Sequence, residues 1–227
     1  MDKANAGWVA KSLAILAKDI RLELRSRYAV NSILMFGVTT LAVVSFSLGQ
    51  SSLPPHLLGA LFWIVMFFSA MSGLALSFVR EEEAGTALAL RLTAPPEPVL
   101  IGKLLFNFLL LLLMTVVITP LFFIFTDASL SHWVGFLVVL LLGVVGLCAA
   151  TTLVAAIISR AAVKGTLFAV LSFPVLVPLL LILVRVTQKL FEGATLMELL
   201  PELQFLFAFA VVMVAGSVML FRFVWKD

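Results

Sequence analysis

Long uncharged stretches alternate with short charged ones along this chain. No Asp, Glu, Lys or Arg occurs from Tyr28 to Val79, broken only by the polar, proline-bearing turn Gly49-Gln50-Ser51-Ser52-Leu53-Pro54-Pro55-His56. A helix needs about 20 apolar residues to cross a hydrocarbon core about 30 Å thick. The pattern therefore predicts six spans, near 28–48, 57–79, 101–126, 132–158, 165–184 and 203–224. Strands are excluded by the texture of the runs. Barrel strands alternate polar and apolar positions, whereas Leu104–Pro120 is apolar on nearly every side. The reading is an all-α membrane protein, with residues 1–27 preceding a six-helix transmembrane domain over 28–227.

The first 27 residues carry a different pattern. Val9, Leu13, Leu16, Ile20 and Leu24 recur at helical spacing, while Lys11, Lys18, Arg21 and Arg25 fall mainly on another side, with Arg27 just beyond. Charges interrupt every apolar stretch, which a signal peptide does not allow. The segment is expected to be an amphipathic helix lying in the membrane interface through Lys18, Arg21, Arg25 and Arg27, with Trp8 near its start. A soluble helix packed on a partner is the competing reading.

Composition agrees. The chain is 63% hydrophobic and 12% charged, at a mean hydropathy of +1.22, against about 25% charged in soluble domains. Charge placement then sets the expected orientation. Lys3, Lys11, Lys18, Arg21, Arg25, Arg27, Arg80, Arg91, Lys103, Arg160, Lys164, Arg222 and Lys226 lie on the side of the N-terminus; only Arg185 and Lys189 lie on the other. Cytoplasmic segments hold the excess of Lys and Arg, so both termini are expected inside. The same bias explains the pI near 9.3 without nucleic acid.

The chemistry of the chain is sparse. The uncharged runs hold no ionisable group near the midplane, where such groups usually mark an ion pathway. No G-x-x-x-x-G-K-[ST] loop is present to bind nucleotide phosphates. His56 and His132 begin the second and fourth spans at the outer edge and read as interfacial imidazoles rather than a metal pair. Cys148, among Gly143, Gly146, Ala149 and Ala150, reads as a packing residue. No catalytic, metal or cofactor residue is expected on this chain.

The informative loop is 78–98. It carries the acidic triplet Glu81-Glu82-Glu83, then Gly85-Thr86, then helix formers with Leu88 and Leu92 four apart, then Pro95, Pro96 and Pro98. Acidic residues suit a helix start, and prolines end a helix and redirect the chain. A short helix over 81–92 is expected to act as a docking element, with a plain connector as the alternative. Its contact residues would be Glu81, Glu82, Gly85, Leu88 and Leu92.

The pattern Phe78-x-x-Glu81-x-x-x-Gly85-Thr86, a leucine-rich stretch, Pro95, and Gly102-Lys103-x-x-x-Asn107 resembles the membrane component of ABC-2 transporters. The length, the bare spans and the run from Lys18 to Arg27 narrow the resemblance to the haem exporter permease family of the cytochrome c maturation system. That resemblance covers nearly the whole chain. It implies a multi-pass protein of the bacterial inner membrane, assembled with a second copy of itself and a separate ABC ATP-binding subunit. It also implies a haem-handling membrane subunit and a haem chaperone as partners. In such a complex ATP binds the partner subunit and haem is handled by the assembly. The N-terminal helix would be the connecting helix and 81–92 the coupling helix, serving haem export or release of a loaded chaperone. An ABC-2 exporter of a drug, lipid or polysaccharide, and a non-transport scaffold, are the alternatives.

Overall fold

In a computed structural model, residues 2–48, 53–74, 81, 85–158 and 164–226 are described. They form α1 (Asp2–Ser26), α2 (Tyr28–Leu48), α3 (Pro55–Leu74), α4 (Ala87–Thr93), α5 (Pro96–Thr126), α6 (Trp133–Ile158), α7 (Lys164–Phe191) and α8 (Leu200–Lys226). No strand occurs among the described residues. Six helices, α2, α3, α5, α6, α7 and α8, are long and apolar enough to cross a membrane. The chain is an all-α, multi-pass membrane protein.

Two boundaries differ from the sequence expectation. Pro95, Pro96 and Pro98 end α4 but also begin α5, with Pro96 in its first turn. Proline suits that position, since its missing N–H would have no intrahelical partner there. The fifth span also runs seven residues past its predicted end. α7 continues to Phe191, Gly193 turns the chain at φ 92°, and a few tight turns lead into α8. Lys189 pairs with Glu202 across that turn, which lets charged residues occupy the helix ends.

The bundle closes on bulky aromatics set against glycines. Trp63 of α3 is fully buried, and its indole N–H donates to Thr187 Oγ1 of α7 at 2.8 Å. A Cβ on Gly143 of α6 would lie 2.2 Å from the Trp63 ring. Lipid offers no hydrophobic contrast between helices, so close packing at small residues carries association. Phe62, Phe122, Phe123 and Phe136 add edge-on contacts, each worth about 1 kcal/mol.

A second apolar cluster gathers Ile15 of α1, Ala94 after α4, Val99 and Leu100 of α5, Val154, Ala155 and Ile158 of α6, and Phe221 of α8. The N-terminal helix, the loop and the C-terminal helix therefore meet at one end of the bundle.

Candidate functional site

At that end α1 lies against the start of α5. The burial of α1 is not the simple two-sided pattern expected. Its contact face is Ser12, Ile15, Asp19 and Glu23, one residue per turn. The apolar row Val9, Leu13 and Leu24 instead points away from the bundle, at 58, 52 and 68% exposure. Gly102 makes the approach possible, because a Cβ there would lie 2.8 Å from Ile15 and 2.9 Å from the Ser12 carbonyl.

One residue further along α5, Lys103 is 2% exposed. Its Nζ lies 3.2 Å from Asp19 Oδ2 and 3.2 Å from Glu81 Oε1. Lys18 lies 3.2 Å from Asp19 Oδ1 and also donates to Glu81 Oε1. Among the described residues, two ammonium groups thus face two carboxylates. An isolated buried charge costs several kcal/mol, so this arrangement ties α1, the loop and α5 together. Burial pushes the Glu81 carboxyl up, but the Lys103 charge and the Lys18 hydrogen bond outweigh it and hold it at about 2, against an ordinary 4.5. Burial likewise pushes Lys18 down, yet the Glu81 hydrogen bond and the Asp19 charge leave it raised above 10.5.

The loop is folded around the same carboxylate. Thr86 Oγ1 donates to Glu81 Oε2 at 2.9 Å, and the Thr86 N–H donates to the Glu81 carbonyl at 3.0 Å. Gly85 between them has φ 67°. A left-handed residue spanned by such a bond is a Schellman cap, and glycine takes that φ without a steric penalty. Nothing lies within 4 Å of a Cβ built on Gly85; its conformation, not a close approach within this chain, calls for glycine.

The helix expected over 81–92 is α4, Ala87–Thr93, and is shorter than that expectation. Gly85 separates it from Glu81, so the acidic residue serves the charge cluster rather than the first turn of α4. Leu92 is 80% exposed. Glu82 and the side chain of Leu88 lie outside the described residues. Four residues beyond Lys103, Asn107 donates to Thr152 Oγ1 of α6 at 2.8 Å, carrying the connection one turn deeper.

Arg21 and Arg25 are exposed and make no ion pair or hydrogen bond among the described residues. Arg27 is not part of α1: it is a left-handed link, φ 54°, between α1 and α2. Glu23 secures this elbow by accepting the Val30 N–H at 2.9 Å, capping α2 in the manner of an N-cap side chain. His56 and His132 are both exposed.

Asp19 and Lys103 were not among the sequence candidates. A signal existed for each. Asp19 shares a helical face with Ser12, Ile15 and Glu23, and Lys103 is a lone cation where α5 turns apolar, which demands a counter-ion. Only the fold shows that each answers the other.

A family model described as CcmB protein matches residues 10–223. No individually curated protein matches the chain.

Proposed function

The chain belongs to the CcmB family, a membrane component of haem export in cytochrome c maturation, and from that premise we propose that it is the permease through which a separate ATP-binding subunit drives the complex. The family is part of a haem-exporting ABC complex and is not known for catalysis; a drug, lipid or polysaccharide exporter and a bare scaffold are set aside on that ground. The partner would bind ATP, and this chain would hold no cofactor of its own. A second copy, a haem-handling membrane subunit and a haem chaperone would complete the assembly in the bacterial inner membrane. α1 and α4 would face the cytoplasm.

The observation that carries this reading is the cluster Lys18–Asp19–Glu81–Lys103. A force applied at α4 passes through Glu81 to Lys103 on α5 and to Lys18 on α1. From α1 it reaches α2 through the Glu23 elbow, and from α5 it reaches α6 through Asn107. Rigid helices joined at buried ion pairs move as units, which suits export of haem or release of a loaded chaperone.

The test is Leu88→Asp with Leu92→Asp. Truncating an interface anchor costs about 2 kcal/mol or more. The double variant is expected to insert normally, lose the co-purifying ATP-binding subunit and fail to mature c-type cytochromes. Wild-type binding and maturation would reduce the loop to a connector.

A further inference from the structure

The bundle-facing side of α1 accounts for Ser12, Ile15, Asp19 and Glu23, and Lys18 is taken by Glu81. What remains is an outward surface with two adjoining parts. One is the apolar row Val9, Leu13 and Leu24. The other is basic: Lys11, Arg21 and Arg25 are exposed, without an ion pair among the described residues. Beside Arg21 and Arg25 the helix carries Ala14 and Ala17, and a shallow cavity of about 470 Å³ opens over these residues with Lys18 and Leu22. The alanines leave room between the guanidinium groups for a group that neither arginine finds among the described residues.

From this juxtaposition we propose that Arg21 and Arg25 bind the phosphate headgroups of anionic phospholipids in the leaflet that covers Val9, Leu13 and Leu24. Lipid is favoured over an acidic protein by continuity with the membrane domain. A single residue, Arg27, joins α1 to the first span, so α1 is held at the bilayer surface. There an apolar row beside a basic one matches acyl chains beside anionic headgroups. Guanidinium also matches phosphate in bidentate geometry, which ammonium does not. The inference rests on the proposed cytoplasmic side of α1 and on its expected position in the membrane interface, and adds the headgroup charge and the two residues that read it. Each cation near an anionic leaflet contributes roughly fivefold in affinity, so the pair contributes roughly thirtyfold.

The full chain is placed in nanodiscs of phosphatidylcholine, with or without phosphatidylglycerol, and hydrogen exchange of the α1 amides is followed. A bimane probe at Leu13→Cys, in a Cys148→Ala background, reports whether the apolar row is in lipid. The expected result is α1 protection greater with phosphatidylglycerol, by roughly thirtyfold, and reduced by high salt. Arg21→Gln with Arg25→Gln abolishes the difference; Arg21→Lys with Arg25→Lys keeps most of it; Arg185→Gln, on another helix, leaves it unchanged. Equal protection in the two lipids with the probe still in an apolar setting overturns the headgroup inference alone. A probe in water in both lipids overturns the surface placement as well. Loss of the co-purifying ATP-binding subunit in the glutamine variant, without lipid dependence, assigns this face to that partner and also overturns the proposal.

Discussion

Lys103 is the residue on which most of the end of the bundle where α1 meets α5 depends. Removing one member of a buried ion pair costs about 3–5 kcal/mol, because its partner is left charged and unsolvated. Lys103→Ala is therefore expected to lower the thermal unfolding midpoint sharply, and Asp19→Asn with Lys103→Met to cost less than the sum of the single changes, as coupled neighbours do. Thermal unfolding in detergent measures both. The pH dependence has a defined sign. The Glu81 carboxyl titrates at about 2 when folded and near 4.5 otherwise, so its contribution is complete above pH 4.5 and lost as pH falls from there towards 2. Lys18 is raised above 10.5; its contribution is complete below that value and lost at higher pH. Attachment of α1 should be flat between about pH 5 and 10, with protease cleavage near Arg27 rising on acidification. Glu81→Gln should weaken attachment at neutral pH and flatten the acid response.

Among the elements, the contact of α1 with α5 depends on Gly102 and the elbow into α2 on Glu23. Gly102→Leu places a branched side chain where even a Cβ comes within 2.8 Å of Ile15. It is expected to lift α1 off the bundle, breaking Asp19–Lys103, while the six spans still insert. Hydrogen exchange confined to α1 would show this, and an unchanged α1 would show that the backbone can give way. Glu23→Ala removes the carboxylate that caps α2, at about 1 kcal/mol by analogy with lost N-caps. Gly85→Ala must hold a left-handed φ at about 1–2 kcal/mol; under the proposed function it is expected to lower coupling to the ATP-binding subunit without loss of the bundle.

For the whole molecule the testable quantity is orientation. Ser129 and Thr93 are both exposed, at opposite ends of α5. In a Cys148→Ala background, Ser129→Cys should react with an impermeant thiol reagent in intact cells, and Thr93→Cys only after permeabilisation. The reverse pattern would invert the assembly and place α4 out of reach of any cytoplasmic ATPase. Ala94 is unsuitable for this test, since it packs against Ile15 and its neighbours.

The six spans were legible without a fold because bilayer thickness acts on each segment separately: enough consecutive apolar residues predict a crossing whatever the neighbours do. The pairing of Gly85 with Thr86, and of Gly102 with Lys103, was visible as a pattern for the same local reason, and the loop over 78–98 with it. The partners of those residues were not. Asp19 and Lys103 are 84 positions apart, and nothing in either segment specifies the other. Pairing them needs the rotation of α1 about its axis, set by how closely Gly102 lets two backbones approach. Amphipathic spacing alone divided α1 into an apolar and a basic side. The fold decided that a third face, bearing Asp19 and Glu23, turns inward, because only there does Lys103 offer the buried Asp19 carboxylate a counter-charge and the Val30 N–H offer Glu23 a donor.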